Sequence, residues 1–258
     1  LVSFPNEIVD AVEQRFLTEG HPAEITSLRA AGMGNFVDTG EHAWCHEGLI
    51  ARTISSYLSV CPKLCRMVEE NKVQGYMFPL GPIMQLFQEV GRGMPGVMTK
   101  IGLGTFMDPR YDGGKLNQLT KEKGEDLVEY IPDFMGEDYL YYRSPGMNVA
   151  LLRGTSADPH GNISCEKEAI NLELLSVAQA VKASGGIVIC QVEKLAELHE
   201  IHPRMVKVPG MYVDYVVVAR NPENIPQNFD RRNNLNYNPA FTGEKVVERT
   251  QDNISLPL

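Results

Sequence analysis

Leu172 to Ala183 carries apolar residues at helical spacing, and Gly185-Gly186 ends the pattern. An almost continuous apolar run, Ile187 to Val192, follows at once. A strand this apolar is buried on both faces, as strands of parallel sheets are. Tyr212 to Ala219 is a second run of the same kind. Strands that alternate with helices predict an α/β fold: an open, mostly parallel sheet with helices on both faces.

The rest of the chain extends this alternation. Ser3-Phe4-Pro5-Asn6 starts a helix to about Glu19, with Ile8, Val9, Val12 and Phe16 on one face and Gly20 as its stop. Glu24–Leu28 reads as a short strand before the small-residue turn Ala30-Ala31-Gly32-Met33-Gly34. Glu47–Ser55 fits helix or strand. Lys63–Glu70 is a helix with Pro62 in its first turn. Val73–Phe78 is a strand, Gly81-Pro82 opens a helix through Val90, and Val97–Ile101 is a strand. Residues 105–147 read as irregular, with two short strands near Leu127 and Tyr139; Val149–Arg153 is a further strand.

After Arg220 the composition changes. Asn221 to Asn238 is dense in Asn, Arg and Pro and reads as a linker. The expected organisation is a domain over 1–220 and a linker or extended tail over 221–258, directed toward a further domain. The chain starts at Leu1, almost directly in a helix pattern, so the native N-terminus is expected either to have been lost or not to be covered by this sequence.

With 258 residues, 43% hydrophobic and 22% charged, the chain has an ordinary globular composition. A net charge of -9 without a basic, aromatic-interleaved patch argues against nucleic acid as partner. No apolar run reaches the roughly 20 residues that span a bilayer. Cys45, Cys61, Cys65, Cys165 and Cys190 lack framework spacing and read as free thiols in a reducing cytoplasm.

Several constellations bear on chemistry. Gly102-Leu103-Gly104-Thr105 follows an apolar strand, and Gly113-Gly114 follows it closely. Such a loop either admits a ligand close to the backbone or simply turns tightly; Met107 stands where a dinucleotide fingerprint needs its third glycine. Arg110 and Lys115 flank the loop, to hold a phosphate or carboxylate or to pair with Asp108 or Asp112. His42, Cys45, His46 and Glu47 contain zinc-ligand types but match no zinc spacing, so the same stretch also reads as a helix start with a buried cysteine. No serine lies in G-x-S-x-G. Glu166, Glu168 and Glu173 read as the solvated, acidic start of a helix.

Taken in order, Ser3-Phe4-Pro5, His46-Glu47-Gly48-Leu49, Gly102 through Arg110, Gly113-Gly114-Lys115-Leu116-Asn117, Arg153-Gly154-Thr155, Ala157 through Asn162 and Val208 through Asp214 form a pattern. It strongly resembles the N-terminal half of single-chain family I coenzyme A transferases, in the branch of propionate, acetate and acetoacetyl CoA-transferases. The resemblance runs from Leu1 to Ala219, and the opening strand of the family is missing before Ser3.

The resemblance implies transfer of CoA between carboxylic acids through a glutamyl anhydride and a glutamyl-CoA thioester. Coenzyme A is then a substrate, with no permanently bound cofactor and no metal. The expected partners are acyl-CoA, short-chain carboxylates, a C-terminal CoA-transferase domain or subunit, and further copies of the enzyme. The family's catalytic glutamate lies in the C-terminal half, before a glycine-rich segment that this sequence does not contain, so no glutamate here is assigned as catalytic. Family members usually carry Pro-Gln-Gly where this chain has Pro79-Leu80-Gly81, and leucine cannot donate a hydrogen bond. The expected acyl-site residues are Gly32, Met33 and Gly34, Leu80 and Gly81, and Gly102, Leu103, Gly104 and Thr105, all at strand ends on one sheet edge. The rivals are a non-catalytic acyl-binding or interaction subunit, and a sugar-phosphate isomerase-like enzyme using Arg110 and Lys115.

Overall fold

A computed structural model describes residues 4–168 and 170–220; the expected linker at 221–258 lies outside them, as does Ser3. Pro5 precedes α1 (Asn6–Glu19), and Gly20, in the left-handed region at φ 76°, closes it by donating to the Phe16 carbonyl. β1 (Ile25–Arg29) and β2 (Ile50–Ser55) follow, then α2 (Pro62–Glu69) with Pro62 in its first turn, and β3 (Gln74–Met77). β2 resolves the ambiguous stretch: Ile50, Thr53 and Ile54 are β-branched and buried, as suits a central strand.

α3 (Leu80–Gly91), β4 (Gly96–Thr99) and α4 (Gln118–Lys123) come next. β5 (Val128–Phe134) and β6 (Glu137–Arg143) form a hairpin. β7 (Val149–Arg153), β8 (Ser156–Ala157) and β9 (Ile163–Ser164) precede α5 (Leu174–Ala183). The chain continues through β10 (Ile187–Val192), β11 (Lys194–Leu195), β12 (Val206–Val208) and β13 (Tyr215–Val218).

The class is α/β with mostly parallel sheets, but the strands divide among four sheets rather than one. β1-β2-β3 and β13-β10-β7 are parallel throughout, β4-β6-β5 is antiparallel, and β11-β8-β9-β12 is mixed. β10 is central in its sheet, which is why its run is so apolar. One large core, including Phe78, Ile83, Leu86, Leu140, Leu152, Val181 and Val188, joins the first, second and antiparallel sheets through the packed pair α3 and α5.

Residues 105–147 hold the two strands expected near Leu127 and Tyr139, β5 and β6 at seven residues each, and in addition α4. Two local expectations need correction. The strand expected over Val97–Ile101 ends at Thr99, and Lys100 to Gly104 is already turning. Glu166 and Glu168 are not a solvated helix start. The Glu168 side chain is buried against the wholly buried Arg153, whose Nε and Nη2 each lie 3.1 Å from its carboxylate. Arg153 also donates to the Phe4 carbonyl, so one guanidinium fastens the entry of α1 to β7. Glu166 accepts from the Ser156 hydroxyl at 2.6 Å. Glu173 alone sits at a helix start, as N-cap of α5.

Asn117 holds the middle of the chain together. Its side-chain oxygen caps α4 at the Thr120 amide, and its Nδ2 donates to the Val68 and Val73 carbonyls at 2.6 and 2.9 Å. One buried amide thus joins α4 to the connection between α2 and β3. Asn117→Ala removes the cap and takes the Nδ2 donor from the buried Val73 carbonyl, while Val68 keeps the Asn71 amide, so it should lower unfolding stability by about 1–3 kcal/mol. Urea unfolding followed by circular dichroism measures this; a midpoint equal to that of the parent chain would contradict it.

Candidate functional site

Parallel register brings three strand ends together. Arg29 pairs with Ser55, and Ser55 with Met77, so β1, β2 and β3 all leave the sheet at one edge. The loops beyond them are tied to each other. The Ser56 hydroxyl donates to the Ala30 carbonyl, and the Phe78 amide donates to the Ser55 carbonyl at 3.0 Å. Ligands of open α/β sheets bind at such an edge.

Leu80 and Gly81 begin α3 directly after β3, with Pro79 as N-cap and no side chain capping the helix. Leu80 is exposed. A Cβ at Gly81 would lie 3.8 Å from Ile101 Cδ1, so the turn after β3 and the start of the glycine loop are neighbours. Ile101 is also exposed, which gives this contact an apolar surface.

The glycine loop reaches the edge by a different route from the one expected. β4 belongs to the antiparallel sheet, paired with β6, and not to the parallel sheet. Aromatic packing bridges the two sheets. Phe78, just past β3, meets Tyr142 of β6 edge-on at 5.3 Å, and the Tyr142 hydroxyl donates to the Ile101 carbonyl at 2.8 Å. Burial pushes the Tyr142 phenol well above its ordinary value, so it remains a donor. Residues 113–116 then return along β3: the Met77 amide donates to the Gly114 carbonyl, and the Leu116 amide to the Gly75 carbonyl. Sequence reasoning passed over Phe78 and Tyr142; the alternating apolar positions of Glu137–Arg143 were the available signal.

Within the loop, the amides of Leu103, Gly104 and Thr105 donate to the Lys100 carbonyl, the Asp108 carboxylate and the Gly102 carbonyl. The Thr105 hydroxyl also bonds the Gly102 carbonyl, and Leu103 packs against the core. Gly104 has φ 69°, where a side chain is strained, yet a Cβ there would meet nothing within 4 Å. The surface beyond Gly104 is open.

Gly32, Met33 and Gly34 lie at the same edge but not beside the other two loops. β2 stands between β1 and β3, which separates β1 from β3 by about 10 Å. The segment packs under Tyr57–Val60, where a Cβ at Gly32 would come within 2.7 Å of the Tyr57 carbonyl oxygen. Met33 turns toward the α1 cluster of Phe4, Val9 and Ala43. Behind this segment lies a buried ion pair, Arg29 with Glu41, joined by Ser27 and Thr53 hydroxyls. Burial raises the Glu41 carboxyl, while Arg29 and Ser27 pull it down.

The remaining candidates take structural roles. His46 bonds Glu13 at 2.7 Å, Glu47 pairs with Lys72 at 2.7 Å, and Cys45 donates to the Glu41 carbonyl. These side chains diverge, and among the described residues no three His, Cys, Asp or Glu gather as a metal site. All five cysteines are free thiols, and no described helix is long and apolar enough to cross a membrane. Arg110 grips Asp108 through two bonds of 2.9 and 2.6 Å. Lys115 pairs with Asp126 rather than Asp112, which Lys121 takes. Both cations that flank the loop are therefore already engaged with carboxylates.

Comparison with known proteins gives the family of the chain. Residues 5–219 match the family model described as coenzyme A transferase. The chain is 41% identical to caffeate CoA-transferase of Acetobacterium woodii over 94% of its own length and 45% of that protein. It is 34% identical to acetate CoA-transferase YdiF of Escherichia coli (strain K12), over 82% of this chain and 39% of that protein. The crystal structure of the acyl-CoA transferase YdiF from E. coli O157:H7, a thioester complex with CoA, superposes with a TM-score of 0.87 at 30% identity, covering 96% of this chain and 47% of that one. The chain thus spans less than half the length of these relatives, and it belongs to the coenzyme A transferase family.

Proposed function

We propose that this chain forms the acyl-pocket half of an enzyme that moves CoA between short-chain carboxylic acids. The observation that carries the reading is the meeting of the α3 N-terminus with the Ile101–Thr105 loop at the edge of the parallel sheet. Leu80 and Ile101 offer an apolar rim for an acyl tail. The amides of Leu103, Gly104 and Thr105 are already bonded, so this loop contributes shape and not oxyanion donors. The first turn of α3, uncapped by a side chain, offers backbone N–H groups where relatives carry a glutamine amide.

In the reaction so proposed, a glutamate carboxylate from the C-terminal half attacks the thioester carbonyl and expels CoA thiolate, leaving an acyl-glutamyl anhydride. The thiolate then attacks the glutamyl carbonyl and releases the first acid, leaving a glutamyl-CoA thioester. The incoming acid reverses both steps. Exclusion of water preserves the activated acyl bond throughout. We place the enzyme in the cytoplasm, as an oligomer, with residues 221–258 connecting the 1–220 domain to its partner domain or subunit. The isomerase alternative loses its phosphate ligands, because Arg110 and Lys115 are paired with Asp108 and Asp126.

Two experiments test the reading. Residues 1–258 alone should show no CoA exchange between acetyl-CoA and propionate, since the nucleophile is supplied from elsewhere. Turnover that persists through repeated purification would overturn this division of labour. In the full enzyme that carries this segment, Leu80→Gln should change the preference among acetate, propionate, butyrate and caffeate by roughly 1–3 kcal/mol in kcat/KM ratios. An unchanged ranking would place Leu80 outside the acyl pocket.

A further inference from the structure

Asp108 has no exposed surface although it carries a charge, and every bond its side chain makes bears on the shape of one loop. Its Oδ2 accepts the Gly104 amide at 3.0 Å. Its Oδ1 accepts the Arg110 amide at 3.1 Å and Arg110 Nε at 2.9 Å, and Oδ2 accepts Arg110 Nη2 at 2.6 Å. The backbone repeats the closure, with the Asp108 amide donating to the Thr105 carbonyl and the Asp108 carbonyl accepting from Tyr111 and Gly113. The hydrogen bond from Arg110, above all, holds the carboxyl far below its ordinary value, so the carboxylate is charged throughout the working range.

Arg110 is itself anchored outside the loop. Its guanidinium carbon lies 3.8 Å from the ring centroid of Tyr130 on β5, and the Tyr130 hydroxyl donates to Asp138 on β6 at 2.6 Å. A planar guanidinium can stack on a ring and fork onto a carboxylate at the same time; a lysine cannot. The hairpin β5–β6 therefore holds Arg110, Arg110 holds Asp108, and Asp108 holds the amide of Gly104, a residue at positive φ with open space beside it.

We propose that Asp108 and Arg110 are positioning residues that fix the Gly102–Thr105 loop as a wall of the acyl pocket and so determine which acids it admits. This rests on the acyl-pocket reading above. Arg110 is half exposed, so its replacement can disturb the loop without emptying the core.

The test compares variants in the full enzyme carrying this segment, with acetyl-CoA as donor and acetate, propionate, butyrate and caffeate as acceptors. Arg110→Gln should lower kcat/KM by about tenfold to a hundredfold, the scale of a small misplacement in an active site. The loss should be unequal among acids, so that their ranking by KM changes, while KM for acetyl-CoA stays within about twofold; the melting temperature falls, because the buried Asp108 carboxylate loses its cation, and the kinetics are read well below the transition. Arg110→Lys should recover part of the loss. Asp108→Asn, which keeps an oxygen for the Gly104 amide, should retain more activity than Asp108→Ala. A folded Arg110→Gln enzyme with parental ranking would overturn the proposal, as would a uniform loss tracking thermal stability. Leu80→Gln, run in parallel, separates the two readings. If it alters the ranking and Arg110→Gln does not, the positioning role fails by itself; if neither alters it, the acyl-pocket assignment fails as well.

Discussion

Parallel strands cannot be joined by a tight turn, because each must begin at the same end of the sheet as the last. β1, β2 and β3 obey this constraint, and the candidate site follows from it. Their register aligns Arg29, Ser55 and Met77, so three loops leave one edge within hydrogen-bonding distance of their neighbours. The connections on the return path must then cover the sheet, which places α2 and its cluster of Leu64, Met67 and Val68 against the strands. The antiparallel sheet meets this edge through side chains, and the chain beyond its glycine loop pairs with β3 through the backbone. Phe78 against Tyr142, and Tyr142 onto the Ile101 carbonyl, are the contacts that bring a glycine loop from one sheet to the strand ends of another.

Much of the fold was legible because burial writes itself into sequence. β10 and α5 have the length, apolar content and glycine stop that their environments require. The strands near Leu127 and Tyr139 were legible, but their seven-residue length was not. Pro132 sits inside β5, while Asp133, Met135 and Gly136 all take positive φ at the turn, so the strand pattern breaks where pairing begins. α4 has only six residues and relies on Asn117 for its cap, which is too short a stretch for periodicity to reveal. β8, β9, β11 and β12 are two or three residues long and exist because neighbouring segments pair, not because of local preference.

The site was legible in part. The resemblance singled out the loops at Leu80 and Gly102, and the structure makes them neighbours through Ile101. It could not order the strands. With β2 central, the Gly32–Gly34 segment is kept from the other two and packs beneath Val60. Charges misled for a related reason. Glu166 and Glu168 look solvated in a list of residues, but Ser156 and Arg153 are brought to them from segments about ten and fifteen residues away in the chain. Long-range pairing of buried charge has no local periodic signature, and a single sequence cannot reveal which carboxylate meets which guanidinium.

The inward-turned amides of Leu103, Gly104 and Thr105 have a consequence for how such an enzyme diversifies. A wall without outward donors imposes no alignment on a ligand's polar atoms; it sets only the room available. On the proposed reading, exchanges among its residues change which acids fit, while the reacting groups stay on another part of the enzyme. On the reading offered here, the half that measures the acid and the half that exchanges the thiol are separable under selection. New acids can be recruited by substitutions on one scaffold while the reacting carboxylate on the other stays where it is.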